Sequence, residues 1–139
     1  MLDSAESSYL TLFTSVNNKV TKRLEGALNH HGVSFSEFMI MHYLYSSPYK
    51  TAKRMALAEQ VGISASGVTR LLQPMEKNKL VAKEANPRDA RVSLVKLTEA
   101  GERVYCESAV AFDFCAKDLL SNLTEVQLQK LSELSHKIL

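Results

Sequence analysis

Between Arg54 and Leu72 two short stretches with helical spacing of apolar residues meet at Gly62-Ile63-Ser64, and a join of that kind permits few architectures. Ala58 is small where two crossing helices must approach, Gly62 suits the positive φ of a tight turn, and Leu57, Ile63, Val68 and Leu71 are spaced to close a small core between them. The pattern predicts a helix over Met55 to Val61, ended by Gly62, and another running from a Ser64 cap toward Lys77. A helical hairpin of no particular function would look the same over this stretch alone. The next segment of the chain narrows the choice: Leu80 to Ala85 and Arg91 to Leu97 are strand-like, and Asn86-Pro87-Arg88-Asp89-Ala90 between them favours a turn, giving a β-hairpin with a basic tip.

Helical signals flank this unit. Phe13, Val16, Val20, Leu24, Ala27 and Leu28 recur three and four apart, predicting a long amphipathic helix over Ser8 to Asn29 that Gly32 stops. Ser34-Phe35-Ser36-Glu37 has the form of a capping box and opens a second helix that ends before Pro48. Thr98 offers an N-cap to a long fifth helix, with Glu99 and Glu102 suited to the positive end of its dipole. Thr124 and Gln127 form a second capping box, Leu123 and Leu128 take the positions of a hydrophobic staple, and Leu128, Leu131, Leu134 and Ile138 line one stripe of a sixth helix. The whole reads as a mainly α (α+β) chain, and its 139 residues fit one core. At 45% apolar and 23% charged residues the composition excludes disorder and fibrous repeats, and no apolar run approaches the length of a membrane span. Met1-Leu2-Asp3-Ser4-Ala5-Glu6 lacks the basic start and apolar middle of a secretory leader, so a cytoplasmic location is expected.

Charge separates the middle of the chain from its ends. From Lys50 to Lys96 there are ten basic residues against four acidic, a net of +6, whereas the remainder has seven against eleven, a net of −4. A basic middle between acidic flanks suits a module that reads nucleic acid, although a solvated Lys/Arg face would give a similar count. The helix pair ending in Ser64 to Lys77 is a helix-turn-helix pattern, and its second helix turns Ser64, Ser66, Gly67, Thr69, Arg70 and Gln73 to one side, with Val68, Leu71, Leu72 and Met75 on the other. Arg70 suits a bidentate contact to guanine and Gln73 one to adenine, Ser66 or Thr69 reaches a base edge or a phosphate, and Lys77 adds charge. At the hairpin tip Arg88 offers a phosphate contact, while Asp89 and Arg91 taken alone form an ordinary cross-turn ion pair.

Asp89-Ala90-Arg91, five residues, then Leu97-Thr98-Glu99-Ala100-Gly101 resembles the Asp-x-Arg and Leu-Thr-x-x-Gly signature of the multiple antibiotic resistance regulator (MarR) family of winged-helix transcription factors. Ser34-Phe35-Ser36-Glu37-Phe38, Leu57 through Ser64, Leu72 to Leu80 and Leu123-Thr124 are similar to the same family, so the resemblance covers nearly the whole chain. It implies a winged helix-turn-helix lobe over residues 33–98, and dimerisation helices in 1–32 and 99–139 that interlock in a homodimer on a pseudo-palindromic operator in double-stranded DNA. It also implies a repressor released by a small-molecule effector, and it gives Arg91 a minor-groove contact with Asp89 holding its guanidinium.

The chain departs from that pattern at several points. Ala90 stands where a second wing arginine is common, Lys79 replaces a frequent glycine so that Asn78 is the expected left-handed residue, and Lys53 replaces a capping hydroxyl so that Thr51 is expected to cap. Pro74 removes an N–H inside the recognition helix and is expected to bend it. His30, His31, His42 and His136 have no zinc-site spacing, no catalytic set or phosphate loop is present, and no cofactor, metal or enzymatic activity is expected. Met39, Met41, Tyr43 and Tyr45 are read as core in preference to an effector cavity. Cys106 and Cys115, nine apart on one helix, cannot bridge each other and are read as buried thiols. Two other readings stay open: a winged-helix protein-interaction module, and a redox-responsive regulator using Cys106 or Cys115.

Overall fold

The computed structural model describes all residues, 1–139. Its elements are α1 (Ala5–Asn29), α2 (Phe35–Ser46), a 3₁₀ turn (Pro48–Lys50), β1 (Thr51–Lys53), α3 (Arg54–Val61), α4 (Ala65–Lys77), β2 (Val81–Ala85), β3 (Ser93–Leu97), α5 (Glu99–Leu119) and α6 (Glu125–His136). The fold is mostly helical with one small antiparallel sheet in the order β1-β3-β2. No helix is long and apolar enough to cross a membrane.

The expected caps form. Ser34 accepts from the Glu37 N–H at 3.1 Å while the Glu37 carboxylate takes the Ser34 N–H at 3.0 Å. Thr124 and Gln127 make the equivalent pair. Gly32 and Gly62 both have positive φ, at 68° and 71°, which only glycine adopts without steric cost.

Three expectations fail for identifiable reasons. The left-handed residue after α4 is Lys79, at φ 60°, and not Asn78. Lys79 N–H returns to the Glu76 carbonyl and Leu80 N–H to the Met75 carbonyl, a Schellman closure that fixes Lys79 in that position whatever its side chain. Thr51 does not cap α3: it lies in β1, its hydroxyl donating to the Pro48 carbonyl, and Lys53 at the cap position supplies no side-chain bond. The second hairpin strand starts later than the sequence indicates, because Arg91 N–H goes to the Asp89 carboxylate and Val92 N–H to the Asp89 carbonyl, leaving neither for the ladder, and the first starts at Val81 because Leu80 N–H closes α4. The three-residue β1 strand, paired Thr51↔Lys96 through Lys53↔Leu94, has no counterpart in the sequence pattern.

The main core joins Leu28, Val33, Phe38, Ile40, Met41, Leu44, Leu57, Val68, Leu72, Met75, Val81, Val95 and Leu97. Nearly all of it lies in α2, α3, α4 and the sheet. The first half of α1 is different: Tyr9, Leu10, Leu12, Phe13 and Val16 are exposed, and only Leu24 and Leu28 of its stripe are buried. α6 buries no residue. Arg23 on α1 reaches Asp118 on α5 at 2.6 Å, and the Glu25 carboxylate accepts the Phe35 N–H at 3.1 Å, so α1 is fixed to both neighbours.

Candidate nucleic-acid interface

Ser64 begins α4 by accepting the Gly67 N–H at 3.1 Å, and its hydroxyl also pairs with that of Ser66. The cap engages the Ser64 oxygen. A Cβ at Gly67 would meet Ser64 Oγ at 3.3 Å and Ile63 at 3.5 Å, so the helix start packs closely on the turn behind it. Beyond the cap, Ser66, Thr69, Arg70, Gln73 and Lys77 are all exposed, while Val68, Leu72 and Met75 on the opposite face are fully buried. The Thr69 hydroxyl bonds back to the Ala65 carbonyl at 3.2 Å. α4 continues through Pro74 to Lys77, and the missing N–H leaves the Arg70 carbonyl without its helical donor on the solvent side. Arg54 on α3 reaches Glu76 at 3.4 Å, an ion pair about 30% exposed on either side that ties the two helices together.

Two Asx turns build the tip of the β2–β3 hairpin. Asn86 Oδ1 accepts the Arg88 N–H at 3.0 Å, and Asp89 Oδ1 accepts the Arg91 N–H at 3.0 Å. The Asp89 carboxylate also accepts from Arg91 Nε at 3.2 Å and Nη2 at 3.5 Å, aligning the guanidinium while leaving its side chain 90% exposed. The bonds from the Arg91 side chain and, after them, its backbone N–H hold the Asp89 carboxyl below its ordinary range, and the charge of Lys53 lowers it further. The sequence marks Lys53 only as a poor cap. Its pairing with Leu94 at the base of the wing makes it a further basic member of this surface, a role that depends on the unforeseen β1 strand.

Charge pairing sharpens the composition argument. Of the ten basic residues from Lys50 to Lys96, Lys50, Arg54, Arg91 and Lys96 are in ion pairs, whereas Lys53, Arg70, Lys77, Lys79, Lys83 and Arg88 are in none. Of the four acids only Glu59 lacks a basic partner. The positive charge left unpaired therefore lies on the outer face of α4, at the corner after it and along the wing, opposed by the single unpaired acid Glu59.

The other candidate groups lie apart from this surface. Met41 is buried, Met39 and Tyr43 pack on the core, and Tyr45 is exposed against Tyr105. His42 Nδ1 lies 2.7 Å from the Tyr105 hydroxyl, whose own titration is pushed up by burial. No three His, Cys, Asp or Glu side chains group as a metal site. Cys115 is buried as expected, but Cys106 is exposed, because the face of α5 that carries it packs on nothing within the chain.

A three-helix core, a helix with one basic polar face and an antiparallel hairpin with an arginine at its tip define a winged helix-turn-helix protein. Residues 31–92 match the sequence model of the MarR family. Over that stretch the chain is similar to the MarR family. Among curated proteins it is 25% identical over 121 residues to the uncharacterized HTH-type transcriptional regulator YhbI of Bacillus subtilis, covering 87% of this chain and 77% of that one. Its fold matches a cysteine-to-serine mutant of MarR from Escherichia coli complexed with operator DNA, with a TM-score of 0.83, 23% identity and coverage of 93% and 91%. It likewise matches CouR from Rhodococcus jostii bound to p-coumaroyl-CoA, with a TM-score of 0.87, 17% identity and coverage of 98% and 94%.

Proposed function

We propose that this chain is a cytoplasmic, sequence-specific DNA-binding transcriptional regulator, acting as a homodimer and as a repressor that a small-molecule effector releases. The observation that carries the reading is the face of α4, where Ser66, Thr69, Arg70, Gln73 and Lys77 are exposed together and neither Arg70 nor Lys77 is spent on an ion pair. Arg70 and Gln73 read base edges in the major groove, Ser66 and Thr69 make shorter contacts, and Lys77 neutralises phosphate. Ser64 and Gly67 belong to the interface through the backbone, as the amino-terminal turn that faces the nucleic acid. Arg91, held by Asp89, enters the minor groove, and Arg88 and Lys53 meet the flanking backbone.

Residues 33–98 form the reading lobe in this account, and 1–32 with 99–139 form the dimerisation lobe. Exposed Tyr9, Phe13, Val16, Val110, Phe114 and Leu131 support that division, since such a run of apolar side chains needs a second copy to cover it. The operator complex of MarR from Escherichia coli supports DNA as the partner, and the ligand complex of CouR supports a small-molecule effector. Exposed Cys106 favours a redox-responsive version of the same regulator over one using Cys115.

Selection of bound duplex from a random pool tests the proposal. A two-fold symmetric motif whose binding weakens steeply with salt is expected. Binding that ignores sequence or does not fall with salt refutes it and favours the interaction-module reading.

A further inference from the structure

Leu80, between α4 and β2, has its backbone engaged on both sides. Its N–H closes the end of α4 on the Met75 carbonyl at 2.9 Å, and its carbonyl accepts the Thr98 N–H at 3.1 Å. The Thr98 hydroxyl lies 2.5 Å from the Lys79 carbonyl and 3.0 Å from the Leu80 carbonyl, and its oxygen accepts the Gly101 N–H at 2.9 Å. One side chain thus begins α5 and holds the end of α4. Gly101 is buried against the same corner: a Cβ there would sit 2.0 Å from the Leu80 carbonyl oxygen and 2.7 Å from the Leu97 side chain. Because the obstacle is backbone, it cannot swing aside.

The other side of the same turn of α5 is held as well. Glu102 takes the Lys50 ammonium at 2.5 Å, and that ammonium lies 5.2 Å from the centre of the Tyr45 ring. Tyr49 and Lys50 both have positive φ, at 56° and 55°, without being glycine. Such backbone persists only where its surroundings over-determine it.

We propose that this clasp sets the separation of the two recognition helices in the dimer, with Thr98, Gly101 and the Lys50–Glu102 pair acting as positioning residues for half-site spacing. The inference rests on the proposed function, in which α4 reads bases and α5 joins the two copies. α5 has 21 residues, a rod of about 30 Å at the usual helical rise, so where it starts against Leu80 fixes where α4 lies relative to the dimer axis. Ordinary contact begins near 3.4 Å, so a methyl at Gly101 must retreat by up to 1.4 Å, the difference from 2.0 Å. Two-fold symmetry doubles this to at most about 2.8 Å, close to the roughly 3.4 Å rise of one base pair.

The test uses the full-length protein and duplexes carrying the selected half-sites with the centre lengthened or shortened by one and two base pairs. Wild type is expected to prefer its own spacing by about tenfold or more over either neighbour. Gly101→Ala is expected to move that optimum by one base pair or reduce the preference to about threefold, with dimerisation and binding to a single half-site unchanged. The wild-type spacing profile in the variant, or an equal loss at every spacing, overturns the clasp. If Gly101→Ala gives no folded dimer, Lys50→Met replaces it: a flattened spacing profile supports the inference and an unchanged one overturns it. A wild-type protein with no palindromic preference refutes the proposed function itself, which separates the two failures.

Discussion

Replacing Arg91 by alanine separates a contact with nucleic acid from a contribution to folding. The Arg91 side chain is 90% exposed, and its bonds to Asp89 span 3.2 to 3.5 Å at the hairpin tip. An exposed pair of that kind contributes about 0–1 kcal/mol, so unfolding of the variant should stay within about 0.5 kcal/mol of wild type. In the proposed complex the same side chain supplies a groove contact, and its loss weakens operator binding by roughly 1–3 kcal/mol, a fall in affinity of about five- to more than a hundredfold. Asp89→Ala acts in the same direction but less, because Arg91 remains and loses only its alignment, worth about 0.5–1.5 kcal/mol. Removing the carboxylate also favours unspecific attraction to phosphate, so the informative quantity is the ratio of operator to random-duplex affinity. Asp89 is held below its ordinary range by Arg91, so the alignment is present at neutral pH and is lost only as pH falls through that lowered value. Between pH 6 and 8 this group should leave binding unchanged. Fluorescence anisotropy on labelled operator at fixed salt, with dimerisation checked by sedimentation, provides the measurement. Operator affinities within twofold of wild type for both variants refute the assignment of the wing.

Arg70→Ala should weaken binding to the selected palindrome far more than to random duplex and relax preference at one symmetric pair of positions, since a bidentate fork to guanine is worth roughly 1–3 kcal/mol against the wrong base. Lys83→Ala, on an exposed strand position, should weaken both alike and lower the salt slope by about one ion per site; the wild-type motif at full strength from the Arg70 variant excludes base reading by α4. Leu72→Ala should destabilise the fold by about 2–5 kcal/mol in urea melts at constant protein concentration, because Leu72 is 0% exposed beneath the recognition face. A loss under about 1 kcal/mol contradicts that placement. Deleting residues from Thr124 onward should give an aggregating or unfolded product, and a soluble, stable monomer in sedimentation refutes the interlocked dimer.

The caps and core positions were legible because their signals are local. Ser34 and Glu37, Thr98, and Thr124 with Gln127 each satisfy backbone groups three residues away, so a few letters determine the bond. The outer face of α4 follows from helical periodicity once Val68, Leu72 and Met75 are assigned to the core. What the sequence concealed depends on distant partners. β1 has three residues and no periodicity of its own; it exists because β3 offers a free edge, and without it Lys53 had no assigned place beside the wing. Lys79 is left-handed because Leu80 is drawn back to Met75, a demand that overrides the preference for asparagine one position earlier. The role of Gly101 was equally hidden, since only the fold brings the Leu80 carbonyl to it across twenty-one positions.

The distribution of exposed apolar residues links stability to the geometry of DNA reading. α6 has twelve residues, buries none of them, and leaves Val126, Leu131 and Leu134 exposed. A helix of that length is marginal alone in water, and its capping box contributes only about 1 kcal/mol. Burying each such side chain against a partner contributes about 1.5–3 kcal/mol, enough for a few of them to order the helix. The thirteen-residue main core, twelve of whose members lie in residues 33–98 and one, Leu28, on α1, needs no such help, because it closes within one chain. In the proposed homodimer, association would therefore complete the outer helices without building the lobe. α5 has its start clasped to the lobe and its later turns on α1, so it belongs to both regions. An effector that changed the packing of the outer helices would have to move α4 through that clasp, since α5 is the helix that both regions hold.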